Sequence, residues 1–185
     1  MCIRDSYKGI FTILSSCASR QLEEVTFRRT VIPVQELLDA AGKYFKKLMK
    51  NRPERIELEI EPMEAKVIGD VNQLRFLLEN LIDEALTVRE DGVIRLQARK
   101  DNEYIRFLFT DTRREKSVEE LNQLFYPNLA RMTSGEKGEL RGTEYLVCKQ
   151  IIRDHDEFAG RRGCRINAEP AEGGGFTVYF TIPRR

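Results

Sequence analysis

The 185-residue chain predicts a two-layer α/β sandwich, a mixed or antiparallel sheet covered by helices on one side. Three observations carry that expectation. Apolar residues recur at helical spacing in three long stretches, 33–50, 70–88 and 142–156. The segments 93–98 and 104–109 alternate around a Lys100-Asp101-Asn102 turn, the pattern of a β-hairpin. Helices and strands then follow one another without regular βαβ alternation, which disfavours an all-parallel sheet.

The elements follow in order. The first six residues, MCIRDS, do not fit the pattern after them and read as a non-native start. Residues 7 to about 30 read as a helix, with Phe11, Leu14, Cys17, Leu22 and Val25 loosely periodic. Thr30-Val31-Ile32-Pro33 breaks that pattern, since proline disfavours helix in the residue before it. A boundary here divides the chain into 1–6, 7–32 and 33–185. Pro33 suits the first turn of a helix reaching about Lys50, with Val34, Leu37, Leu38, Ala41, Tyr44, Phe45 and Leu48 on one stripe. Ile56–Ile60 and Ala65–Ile68 predict two short strands. Asp70 stands where the N-cap of the next helix belongs. Ser117 with Glu120 forms a capping-box signature that opens a helix ending near Tyr126-Pro127. Asn128 to Leu140 is polar and reads as a mobile loop, and Gly142 to about Asp156 as a helix. Cys164–Ala168 and Phe176–Ile182 predict two strands joined by Gly173-Gly174-Gly175.

The charge balance excludes some functions. There are 31 basic and 30 acidic residues, so nothing draws the chain as a whole to nucleic acid or anionic lipid. No window reaches the roughly 18–20 apolar residues that span a bilayer. Cys2, Cys17, Cys148 and Cys164 lack metal-site spacing and read as free thiols of a reducing compartment. His155 is the sole histidine and reads as a structural or surface residue.

The helix over 70–88 is the most informative stretch. Leu74, Leu77, Leu78, Leu81, Ile82 and Ala85 define its buried stripe, while Asn80, Glu84 and Thr87 share another face. Oxygen-bearing side chains at i and i+4 reach one cation or one phosphate, or simply form a solvated surface.

The order of these elements, with these residues, resembles the ATP-binding catalytic domain of sensor histidine kinases, within the gyrase, Hsp90, histidine kinase and MutL superfamily. Asp70-Val71-Asn72-Gln73-Leu74-Arg75 followed by Leu77-Leu78-Glu79-Asn80-Leu81-Ile82 resembles its N-box helix. Gly163-Cys164-Arg165-Ile166, Glu169, Gly173–Gly175 and Phe176 through Pro183 resemble its closing hairpin. The stretch GTEYLVCKQIIRDHDE is similar to a divergent, Bacteroidetes-type branch. The segment before Thr30 resembles the end of the dimerisation hairpin that precedes the domain.

The resemblance implies a Bergerat-type fold, a mixed sheet of about five strands against three helices, with ATP between the helical layer and a lid at 128–141. Asn80 would face the phosphates and act in catalysis. Glu84 stands where the family has its magnesium-ligating asparagine, so Glu84 and Asn80 would hold Mg2+. Asp111 matches the aspartate that accepts a hydrogen bond from the adenine amino group. Gly142 and Thr143 fall in the second glycine box. Asp111 also reads as a strand-end turn residue, and Gly142 as a helix-capping glycine.

Departures from the family pattern are marked. Asp111-Thr112-Arg113-Arg114-Glu115 stands where the family has D-x-G-x-G, with both glycines gone. Glycine serves there because main chain must approach the nucleotide closely. Arg113 and Arg114 read as exposed loop charges or, by their guanidinium groups, as phosphate partners. The second glycine box is reduced to Gly142. The expected function is that of a cytoplasmic protein-histidine kinase domain with weak or degenerate activity. It would pass the ATP γ-phosphoryl to a histidine in an upstream helix of the same protein, which would be a homodimer serving a response regulator. The alternative is a non-catalytic pseudokinase module that keeps the fold. No nucleic-acid or membrane contact is expected of this segment.

Overall fold

The computed structural model describes residues 27–127 and 142–185. The expected lid and nearly all of the expected first helix lie outside the described residues.

Eleven elements follow in the described chain: β1 (Thr30–Pro33), α1 (Val34–Met49), β2 (Ile56–Ile60), β3 (Lys66–Gly69), α2 (Val71–Ala85), β4 (Gly92–Asp101), β5 (Tyr104–Asp111), α3 (Val118–Asn122), α4 (Glu144–Phe158), β6 (Ile166–Pro170) and β7 (Phe176–Pro183). Five strands form one mixed sheet in the order β2-β4-β5-β7-β6. β2 runs parallel to β4, and every other neighbouring pair is antiparallel. The expected α/β sandwich is the observed architecture.

Alternation builds the core. Ile94, Leu96 and Ala98 on β4, Ile105, Phe107 and Phe109 on β5, and Val178, Phe180 and Ile182 on β7 are all buried. Phe107 and Phe180 are cross-strand partners whose rings stack at 4.8 Å and 6°. The other face of the sheet is polar. It carries the Glu59–Arg95 ion pair and Arg106 above the Tyr179 ring. The apolar stripes of α1, α2 and α4 complete the core, and α2 packs against both other helices.

Two features differ from the sequence expectation. Thr30–Pro33, read only as a break in the helical pattern, is a strand that pairs antiparallel with β3 in a second, two-stranded sheet. A strand this short, with Ile32 alone buried and Pro33 at its end, carries no alternation to recognise. The helix opened by Ser117 ends at Asn122 rather than near Tyr126. The chain turns there so that Leu124 and Phe125 reach the core, at 1% and 6% exposure. Its capping box is present, with both reciprocal bonds between Ser117 and Glu120.

Candidate functional site

Asp111 is the last residue of β5, paired across the sheet with Ile94 and Phe176 and 3% exposed. The β6–β7 turn presses on this strand end. Gly175 has φ +84, and a Cβ there would overlap the Asp111 carbonyl oxygen and lie 2.8 Å from Thr112 Cα. Glycine is therefore the residue that lets the turn cross. Thr112 is fixed from the other side, its Oγ1 donating to the Val93 carbonyl at 2.7 Å.

Arg113 folds back onto Asp111. Its backbone N–H and its Nε both donate to Asp111 Oδ1, at 3.0 and 2.9 Å, and its Nη2 donates to Oδ2 at 2.9 Å. The remaining donors go to main chain at the end of α2. Nη2 also reaches the Ala85 carbonyl at 2.6 Å, while Nη1 reaches those of Val88 and Glu90, both at 3.0 Å. A guanidinium has about five N–H donors, and each here has an acceptor. The two side chains are 1% and 4% exposed. The stem of Arg113 lies over Gly92, where an added Cβ would be 2.5 Å from Arg113 Cγ.

This corrects the expectation for Arg113, which is neither an exposed loop charge nor turned toward a phosphate. It is a buried, two-pronged partner of Asp111 that also binds the last carbonyl of α2 and two carbonyls of the loop after it. Arg114, by contrast, is exposed as expected. Arg113 is the site residue whose role the sequence did not reveal. The only local signal is its i+2 spacing from an aspartate at a strand end, the spacing of an Asx turn.

The other site residues lie on α2 and at the start of α4. Asn80 is 7% exposed, and its Nδ2 donates to the Phe76 carbonyl one turn back, at 2.7 Å. Glu84 is half-buried and directly precedes Ala85, the α2 carbonyl that Arg113 grips. Gly142 has φ +84, and Thr143 takes the N-cap position of α4 without a side-chain capping bond. Glu144 opens α4, and its Oε2 is a buried atom with no partner among the described residues. Cys148, one turn on, is fully buried, its Sγ 3.6 Å from the Leu77 carbonyl of α2. Burial pushes its thiol far up, and Glu144 and Glu84 push it further. The structure therefore sets Asp111, Arg113 and the Ala85 end of α2 in direct contact. It leaves Asn80 bonded to its own helix.

His155 joins the far end of α2 to α4. Its Nε2 lies 3.1 Å from the Asp70 N–H, and its Nδ1 lies 2.8 Å from the Ile151 carbonyl. The amide donates and the carbonyl accepts, which assigns the proton to Nδ1. Asp70 caps α2 by accepting from the N–H groups of Asn72 and Gln73, and it also accepts from Arg28. The Phe27 ring packs edge-on against His155 at 4.8 Å. Burial lowers the imidazole pKa to about 4, against smaller upward contributions from the Ile151 bond and the Asp70 charge.

Arg113 takes three of the roughly four acceptor positions of the Asp111 carboxylate, the group that the resemblance assigns to an adenine amino group. A magnesium ion takes one or two carboxylates and keeps several waters, and Glu84 on α2 is a donor of that type. Among the described residues no cluster of three or more His, Cys, Asp or Glu forms a metal cage.

Comparison with known proteins identifies the fold. A family model described as histidine kinase-, DNA gyrase B- and HSP90-like ATPase matches residues 69–185. No curated protein sequence matches the chain. Solved structures similar to it include the mycobacterial sensor histidine kinase MprB, with TM-score 0.66 and 18% identity, covering 85% of this chain and 99% of that one. The nucleotide-free catalytic domain of histidine kinase ThkA gives TM-score 0.66 and 21% identity, covering 86% and 97%. ThkA in complex with the response regulator protein TrrA gives TM-score 0.66 and 19% identity, covering 99% of this chain and 49% of that one.

Proposed function

Because the chain belongs to the histidine kinase-, DNA gyrase B- and HSP90-like ATPase family, we propose that it is the ATP-binding domain of a two-component sensor histidine kinase, with a degenerate nucleotide site that binds ATP weakly. The observation that carries this reading is the position of Asp111. One guanidinium spans from its carboxylate to the Ala85 carbonyl, so the buried strand-end acid and the Glu84 end of α2 border the same place. In this reading Asn80, Glu84, Asp111, Gly142 and Thr143 surround the nucleotide, and Glu84 with Asn80 holds Mg2+. The γ-phosphoryl acceptor is a histidine outside this chain, because His155 is the sole histidine and both its ring nitrogens are engaged in the core. An upstream acceptor helix, homodimerisation of the parent and a response-regulator partner complete the proposal. The similarity to a kinase solved with its response regulator supports the last. Among the described residues, no helix is long and apolar enough to cross a membrane.

The Arg113–Asp111 pair favours a second reading, a signalling module that keeps the fold without productive use of ATP. Thermal melting with Mg-ATP separates the two. At about 10 mM nucleotide, a site with a dissociation constant near 1 mM gains about 1.4 kcal/mol by mass action, a rise of about 3–6 °C in the midpoint. An unmoved midpoint favours the second reading.

A further inference from the structure

Arg113 has an unusual set of partners for a residue on a strand-to-helix loop. Its guanidinium donates to Asp111 Oδ1 and Oδ2 and to the carbonyls of Ala85, Val88 and Glu90. Its side chain is 1% exposed. Gly92, at φ +147, leaves the gap its stem needs. The arrangement is a built site with its occupant covalently attached.

We propose that Arg113 is the specificity-determining residue of this site, a tethered occupant that takes the donor position a purine amino group would use on Asp111. The inference rests on the nucleotide-binding reading above and says how that site is regulated. With the guanidinium in place, three of the carboxylate's roughly four acceptor positions are filled by Arg113, and the side chain is only 4% exposed, so little of it is open to a base. A nucleotide then binds most molecules through other contacts and is not read as adenine, because the adenine-reading mode is open only to the minority in which Arg113 has swung out. Apparent affinity falls by the fraction of molecules that are competent, so a swung-out population of about one in ten costs about tenfold.

The test is displacement of a fluorescent ATP analogue by Mg-ATP and by Mg-ITP, whose hypoxanthine lacks the amino group. It uses the whole chain as wild type, Arg113→Gly and Arg113→Gly/Asp111→Asn. The expected result is that wild type binds ATP and ITP within about threefold of each other. Arg113→Gly then binds ATP at least about tenfold tighter and prefers it to ITP by at least about tenfold, and the added Asp111→Asn removes that preference. Should Arg113→Gly fail to fold, Arg113→Met keeps the stem over Gly92 and takes its place. The wild-type ATP-to-ITP ratio needs no variant at all. A wild-type preference for ATP of about tenfold or more overturns the proposal, because Asp111 would then already read the base. Equal ATP binding by wild type and a folded position-113 variant overturns the tethered occupant but leaves the nucleotide reading standing. Absence of binding by both overturns the two together.

Discussion

Acid titration of His155 gives a direct measure of how tightly α2 and α4 are locked. In the folded chain the imidazole pKa falls from 6.5 to about 4, chiefly by burial. The unfolded chain therefore takes up a proton between those values while the folded chain does not. The stabilisation is fully present above the unfolded pKa and is lost as pH falls from 6.5 toward about 4. The shift corresponds to about 3 kcal/mol across that window. The local cause is visible, since a proton on Nε2 would face the Asp70 N–H instead of accepting from it. The assay is chemical denaturation at pH 7, 6, 5 and 4 for wild type and His155→Gln, whose amide oxygen keeps an acceptor for Asp70 and does not titrate. Glu79 and Asp154, raised by burial, act in the opposite sense. Asp156 acts in the same sense, because although burial opposes it, bonds from Gly163, Arg162 and Cys164 hold its carboxyl down. The His155 share is thus the difference between the two proteins. Parallel stability curves for wild type and His155→Gln would refute the reasoning.

Two further outcomes follow from the same geometry. Gly175→Ala should cost about 2–4 kcal/mol by denaturant unfolding, through positive φ and overlap with the Asp111 carbonyl. Gly173→Ala should cost only about 1–2, because its φ is +86 but an added Cβ meets nothing within 4 Å. Equal losses would show that the crossing turn relaxes freely. Asp70→Ala removes acceptors from Arg28, Asn72 and Gln73 and should cost about 2 kcal/mol, whereas Asp70→Asn keeps the oxygen that accepts from Asn72 and Gln73, loses the one that accepts from Arg28, and should cost about 1. The comparison is again by denaturant midpoint.

What was legible in the sequence was whatever leaves a local pattern. The β4–β5 hairpin announced itself by alternation around a short turn, and Asp70 and Ser117 by their capping positions. β1 was invisible because four residues with one buried side chain hold no period. Asp111 was legible by register, but its condition was not. Three of the acceptors that hold Arg113 are main-chain carbonyls, and the residues that own them, Ala85, Val88 and Glu90, would present the same carbonyl whatever their side chains. A charge in a loop reads as solvated until the fold shows which carbonyls are bare. His155 was hidden in the same way, since its partners are the Ile151 carbonyl and the Asp70 amide.

The replacement at position 113 also alters what a ligand must do. In a glycine-lined site the strand-end carboxylate stays solvated until a base arrives, so a ligand competes with water. Here it competes with a guanidinium that bonds both carboxylate oxygens, the last carbonyl of α2 and two carbonyls of the loop after it at once. A buried ion pair contributes little net stability by itself, but leaving one member without the other costs about 3–5 kcal/mol. A base amino group that displaced Arg113 would restore one hydrogen bond to Asp111 and leave the carbonyls of Ala85, Val88 and Glu90 to water. That exchange is unfavourable on hydrogen-bond count alone, which makes the tenfold gain expected of Arg113→Gly a lower bound. A signal could instead change the balance by moving the end of α2, because three of the five acceptors that hold Arg113 belong to that turn and its continuation. At a fixed ATP concentration, occupancy of the site would then follow the position of α2.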